Sequence, residues 1–221
     1  MTIEEYFGDW MKVIDKQELI KVVNKLKTMN NFTPAFNLVF RAFKVCKYTD
    51  LKIIMLLQDP YCQKSVATGI ALGNKKETSD NNLSPSLNIV KEASINFEIP
   101  HNSIIFDPTL ESWCKQGILM LNTALTTEVG KIGSHTMMWR GFISKLLRNI
   151  SEYNSGIIYV LFGEQAKTFK PYIGKNNIIL EEKHPSYYAR TNSRMPSTIF
   201  NEISKLTKNK YGEPIKWFSE Y

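Results

Sequence analysis

Residues 52–61 read Lys-Ile-Ile-Met-Leu-Leu-Gln-Asp-Pro-Tyr, an unbroken apolar run that stops at a polar turn stiffened by proline. A run apolar at every position, rather than at every second one, suits a strand covered on both faces. Three later runs share this character: Ile118 to Leu121, Ile157 to Phe162 and Ile178 to Leu180. Helical patterns lie between and after them, at Ser86 to Ala93, Trp139 to Ile150, Gln165 to Tyr172 and Ser197 to Leu206. Strands alternating with helices predict an α/β fold with a four-stranded, mainly parallel sheet and right-handed crossovers.

Before the first run, apolar residues from Trp10 to Leu26 recur at helical spacings and predict one or two amphipathic helices. Thr33-Pro34 predicts a helix start, with Thr33 as cap and Phe36, Val39, Phe40 and Phe43 as a buried face ending near Cys46. The polar, aperiodic stretch from Lys75 to Asn82 predicts a mobile surface loop. The 221 residues, 43% of them hydrophobic, can bury one sizeable core, and no linker or repeat divides them.

In an open parallel sheet, ligands bind beyond the carboxyl ends of the strands. Polar groups stand at all four exits: Gln58-Asp59-Pro60-Tyr61, Asn122, Gly163-Glu164, and His184-Pro185-Ser186. Asp59 is either a turn carboxylate that caps nearby amides or a carboxylate held rigidly for chemistry. His184 either packs at a strand end or donates a hydrogen bond to a developing anion, its neutral form being available at pH 7. Asn122 is either a turn residue or an amide whose donor and acceptor read a base edge.

Lys and Arg number 28 against 21 Asp and Glu, and the resulting net charge of +7 favours polyanionic partners, nucleic acid first among them. Neither phosphate-loop signature, G-x-x-x-x-G-K-[ST] or G-x-G-x-x-G, occurs, which argues against nucleoside triphosphates and dinucleotides. No local metal-ligand spacing occurs, and the three cysteines, Cys46, Cys62 and Cys114, form neither a disulfide framework nor a four-ligand zinc site. A reducing compartment, the cytoplasm or a nucleus, is expected. Glu4, Glu5 and Asp9 replace the basic segment of an export signal, and no apolar stretch is long enough to span a bilayer, so no membrane association is expected.

Taken together, the strand-exit motifs resemble those of the family 1 uracil-DNA glycosylases. Gln58-Asp59-Pro60-Tyr61 looks like that family's water-activating motif, Ser84-Pro85-Ser86-Leu87 like its serine-proline loop, and Trp113 through Asn122 like its uracil-reading strand. Leu125-Thr126 running to Ser134-His135, and His184-Pro185-Ser186, complete five matches in family order, and the likeness continues to Ile215-Lys216-Trp217. The resemblance implies a three-layer αβα fold in one domain over residues 1–221, monomeric and free of metal and cofactor. It also implies hydrolysis of the deoxyuridine N-glycosidic bond in single- or double-stranded DNA after base flipping. By the same resemblance Asp59 positions water and faces the cationic sugar, and His184 donates to the uracil oxygen. Gln58, Tyr61, Leu72 and Asn122 then form the base pocket, Tyr61 excluding the thymine methyl. Ser84, Pro85, Ser86, Ser134, His135, Ser186, Tyr188 and Arg190 become DNA-contact candidates, and an acidic DNA-mimicking inhibitor protein becomes a possible partner.

Several positions depart from that pattern. Leu57 stands where the family has glycine, Cys62 where it has histidine, Leu72 where phenylalanine stacks on uracil, and Glu164 where serine is common. Tyr188 falls at the position of the wedging leucine. Leu72 forgoes aromatic stacking worth about 1–3 kcal/mol but keeps apolar contact. These departures leave an alternative, a DNA-binding or protein-interaction descendant with little catalysis.

Overall fold

The computed structural model describes residues 2–95 and 104–220. Its main sheet contains β1 (Ile53–Leu57), β2 (Ile118–Asn122), β3 (Ile158–Phe162) and β4 (Ile178–Glu182), in the order β2-β1-β3-β4. All three pairings are parallel. Every residue of β1, β2 and β3 is buried, and because successive side chains point to opposite faces, both faces are covered by the flanking helices. β4 is the half-buried edge strand, which explains why its apolar run ends early, in Glu181 and Glu182.

The register aligns the strand exits. Leu57 pairs with Asn122 across β1 and β2, and Phe162 pairs with Glu182 across β3 and β4. The polar residues that follow these strands therefore emerge along one edge. Two further bonds tie the first two exits: the Thr123 amide donates to the Leu57 carbonyl at 2.9 Å, and the Ala124 amide to the Gln58 carbonyl at 3.1 Å.

The helix Thr136–Tyr153 buries Trp139, Phe142, Ile143, Leu146, Leu147 and Ile150, the three-and-four spacing of one helical stripe. Its Trp139 and Phe142 rings meet Phe40 at 5.8 and 6.2 Å. The helix Pro85–Ser94 begins with proline at its first turn, where a missing N–H leaves no helical bond unmade. The Trp10–Leu26 pattern resolves into a 3₁₀ turn, Gly8–Lys12, and a helix, Lys16–Lys27, whose cap Asp15 accepts the Glu18 amide at 2.9 Å. The Trp113 indole donates to the Trp217 carbonyl at 2.8 Å and anchors the tail.

Two expectations are corrected. Thr33 caps no helix: Phe32–Thr33 is a short strand paired antiparallel with Thr127–Glu128, so its backbone is already committed to pairing. The predicted helix becomes a 3₁₀ turn, Phe36–Leu38, followed by the helix Arg41–Val45, and Phe36 is 45% exposed while Val39, Phe40 and Phe43 are buried. The pattern from Gln165 to Tyr172 likewise divides, into a helix Gly163–Lys167 and a 3₁₀ turn Lys170–Tyr172, because Pro171 supplies no N–H to continue an α-helix. Residues 75–82 hold no strand or α-helix, and the 3₁₀ turn Asp80–Asn82 is tied back by Lys91 to Asp80 at 2.7 Å. Among the described residues no helix is long and apolar enough to cross a membrane.

Candidate active site

A cavity of about 310 Å³ opens at the carboxyl edge of the sheet, within the usual size range of small-molecule pockets. Asp59, Asn122 and His184 all line it, together with Gln58, Tyr61, Leu72, Ser86, Ser186 and Arg190. Asp59 and His184, distant in sequence, thus share one cavity with Asn122, because the four parallel strands end along one edge of the sheet.

Asp59 is fixed from one side only. Its Oδ2 accepts the Gly133 amide, whereas its buried Oδ1 has no hydrogen-bond partner among the described residues. Burial pushes its carboxyl above the usual range, and the Gly133 hydrogen bond partly opposes that shift. An under-solvated carboxylate oxygen on a cavity wall is a strong acceptor awaiting a donor. The Asn122 side chain, only 8% exposed, lines the same cavity.

His184 caps the helix Pro185–Thr191. Its Nδ1 accepts the Ser186 backbone amide at 3.2 Å and lies 2.9 Å from the Ser186 hydroxyl. A backbone N–H can only donate, so Nδ1 is the acceptor and the neutral ring carries its proton on Nε2. Burial, reinforced by nearby Arg190, lowers the imidazole pKa to about 4. At neutral pH the ring is therefore a neutral hydrogen-bond donor.

Tyr61 is held by its hydroxyl, which donates to the Leu72 carbonyl at 3.1 Å and also meets the Ser84 hydroxyl. Asn74 completes the network: its Nδ2 donates to Ser84 Oγ at 3.1 Å and its Oδ1 accepts the Ser84 amide at 2.8 Å. The Tyr61 ring cannot swing aside without breaking these bonds. Leu72, at φ 63°, occupies the left-handed region that a branched side chain seldom adopts.

The DNA-contact candidates divide by placement. Ser86, Ser186 and the exposed Arg190 line the cavity, and Pro85 and Ser134 are exposed beside the loops that frame it. Ser84 turns its hydroxyl inward to Tyr61 and Asn74. His135 is buried with Nδ1 at 2.9 Å from Thr126 Oγ1, and Ser134 Oγ accepts the Glu128 amide at 2.8 Å, so this pair braces the loop that carries Gly133. Tyr188 also points inward: it is 7% exposed and donates to Glu182 Oε1 at 2.7 Å. The exposed ring of this segment is Tyr187, with Lys183 Nζ 4.2 Å from its centroid. Glu164, 89% exposed and paired with Lys167 at 2.8 Å, stands outside the cavity lining.

Two supporting glycines escaped the reading of the sequence. Gly133 supplies the amide that holds Asp59, at φ 78°. Gly163, at φ 83°, leaves no room for a side chain: a Cβ there would lie 2.8 Å from the Cβ of His184. Only its position directly after a strand hinted at that role. Gly163→Ala is expected to displace His184 and lower turnover at least tenfold, with a loss of about 1–3 kcal/mol in stability from the left-handed backbone and the clash. Activity and chemical denaturation measured on one preparation check this; a variant with wild-type kcat removes Gly163 from the site's support.

Among the described residues, no group of three or more His, Cys, Asp or Glu side chains is placed to hold a metal ion. The sequence profile of the Uracil DNA glycosylase superfamily matches residues 43–207. The uracil-DNA glycosylase of Buchnera aphidicola is 30% identical over 218 residues, covering 97% of this chain and 93% of that protein. That of Campylobacter jejuni is 35% identical over 190 residues, covering 83% and 78%. The crystal structure of mimivirus uracil-DNA glycosylase superposes with a TM-score of 0.72 at 19% identity, over 97% of this chain and 91% of the other, and so shares the fold. A family match across three quarters of the chain, with relatives alike over nearly all of it, places this protein in the uracil-DNA glycosylase superfamily.

Proposed function

We propose that the protein hydrolyses the N-glycosidic bond of deoxyuridine in DNA and releases free uracil, the work of one domain acting as a monomer. The observation that carries this reading is the convergence on one cavity of an Asp59 oxygen without a partner among the described residues, the Asn122 side chain and a neutral His184 ring.

The bond is out of reach inside a stacked duplex, so the nucleotide is everted into the cavity at a cost of a few kcal/mol. As the bond between C1′ and N1 breaks, its electron pair leaves with uracil and positive charge develops on the sugar. Asp59 Oδ1 faces that cation and orients water; the water oxygen bonds to C1′ and its proton passes to solvent through the carboxylate. His184 Nε2–H donates to the uracil oxygen that gains negative charge. Asn122 pairs with the uracil edge and disfavours cytosine, which presents an amino donor where uracil has an acceptor. Tyr61, pinned by Leu72 and Ser84, excludes the thymine methyl. Arg190 and the Ser186 loop meet backbone phosphates, and Tyr187, rather than the inward-turned Tyr188, supplies the aromatic wedge.

The chemistry is assigned to side chains and water, so release is expected to survive chelation; loss on chelation would favour a metal-dependent hydrolase. The decisive assay measures free uracil from a single-stranded oligonucleotide, with thymine as the control base. Wild type is expected to release uracil and spare thymine, and Leu72→Phe to release it at least as fast because a ring restores stacking. Negligible release by wild type and Leu72→Phe alike, with oligonucleotide binding intact, would instead identify a binding descendant. The net charge of +7 and the exposed Arg190 at the cavity also suit an acidic protein that imitates DNA, which would compete with the oligonucleotide.

A further inference from the structure

A second, larger cavity of about 940 Å³ adjoins the first, the two sharing Ala67 on the loop after Tyr61. Its lining mixes apolar residues with many polar ones, and the charges among them are uneven. Glu111 is already paired with Arg41 and, at 3.5 Å, with Lys115. Asp107 is spent on the Thr109 and Ser112 amides at 2.9 and 2.8 Å. Lys64, Lys75 and Lys76 are all exposed and without an ion pair among the described residues, and with Arg41 and Lys115 they set five cationic side chains against the three carboxylates Glu77, Asp107 and Glu111. The surplus is positive. On the same wall the Thr33 hydroxyl is buried, its residue 2% exposed, with no hydrogen-bond partner among the described residues. A buried hydroxyl of that kind is a donor with unmet capacity.

We infer that this groove binds the sugar-phosphate backbone of the DNA strand beside the everted nucleotide, with Lys64, Lys75 and Lys76 neutralising phosphates. The inference rests on the proposed function for the identity of the polyanion. Continuity carries the assignment. The loop that contributes Cys62 and Gln63 to the catalytic cavity goes on to contribute Lys64 and Ser65 to the second, so a strand leaving the first cavity past this loop enters the second. Asn74 joins them from the other side, since it lines the groove and holds Ser84 against Tyr61. Lysines act here as mobile point charges that grip phosphate without reading sequence.

The test compares wild type with the triple variant K64S/K75S/K76S, whose exposed positions leave the fold undisturbed. Two substrates are used, a uracil-containing trinucleotide and a single-stranded uracil oligonucleotide of roughly twenty residues, with salt varied. Each neutralised phosphate contributes about 0.7 to the log-log salt slope on single strands, so the variant is expected to lose about 2 from its slope on the long substrate. KM for the long substrate should rise at least tenfold at low salt, while kcat and all constants for the trinucleotide stay within twofold. Thr33→Val, which changes no charge, should weaken the long substrate a few-fold with the slope unaltered. An unchanged salt slope in the triple variant, or equal weakening of both substrates, overturns the inference. If wild type cleaves neither substrate, the functional reading fails instead, and the groove is still judged by the salt slope for binding a uracil-free oligonucleotide.

Discussion

Asp59→Asn is expected to lower uracil release by about a thousandfold without loss of folding stability. A carboxylate about 4 Å from a full positive charge, at an effective dielectric of ~20, stabilises it by about 4 kcal/mol, and each ~1.4 kcal/mol is a factor of ten in rate. Asparagine removes the charge yet keeps a carbonyl oxygen that can accept the Gly133 amide. The stability half follows from the same burial. Because Asp59 titrates above its ordinary value of 3.8 in the folded protein, the folded state takes up a proton more readily than the unfolded chain. At neutral pH the buried charge opposes folding, a penalty relieved as pH falls through the raised pKa. The variant should therefore melt at the same temperature as wild type or higher at pH 7. Residual release above a tenth of wild type would remove Asp59 from the reaction, and a large fall in melting temperature would make it a structural turn residue.

His184→Gln is expected to cost about 10²–10³ in kcat, the usual loss when one preorganised donor to a developing anion is removed. The wild-type pH profile carries the sharper signature. With its pKa lowered to about 4, the ring stays neutral throughout the working range, so the rate should show no inflection near the ordinary 6.5. The acid limb should follow Asp59, activity falling as its carboxylate is protonated. For stability the sign is opposite to that of Asp59: the folded state resists protonating His184, so this group erodes stability as pH drops from 6.5 toward 4. His184→Gln should flatten that part of the stability profile. A rate inflection near 6.5 that disappears in the variant would show that a charged imidazole, not a neutral donor, takes part.

In the proposed reaction the polar groups facing the cavity are held ready for substrate rather than for one another. Asp59 Oδ1 is desolvated by the fold without a hydrogen-bond partner among the described residues, and Asn122, 8% exposed, lines the same cavity. Such groups reduce stability and repay it only when substrate arrives. The departures from the family pattern spare this pair. Leu72 still lines the pocket, and Glu164 faces away toward Lys167, so the repulsion its charge could cause does not reach the cavity.

Much of this was legible in the chain. Lys52–Leu57 and its three counterparts announced buried strands, because only a strand covered on both faces needs an apolar residue at every position. The rule that ligands gather beyond the carboxyl ends of parallel strands then singled out Asp59, Asn122 and His184. Local pattern failed where long-range pairing prevailed. Thr33-Pro34 carries the chemistry of a helix start, yet pairing with Thr127 claims its backbone.

Sequence alone thus determined the four strands of the main sheet and the polar residues that wait beyond them, since these follow from side-chain periodicity and turn chemistry within a few residues. The tertiary structure decided what those residues can do. The lone bond from Gly133 to Asp59, the tautomer of His184, the inward turn of Tyr188 that leaves Tyr187 exposed, and the lysine-lined groove beside the cavity all depend on neighbours far away in sequence. Burial and hydrogen-bond partners are properties of the packed chain, and no local pattern encodes them.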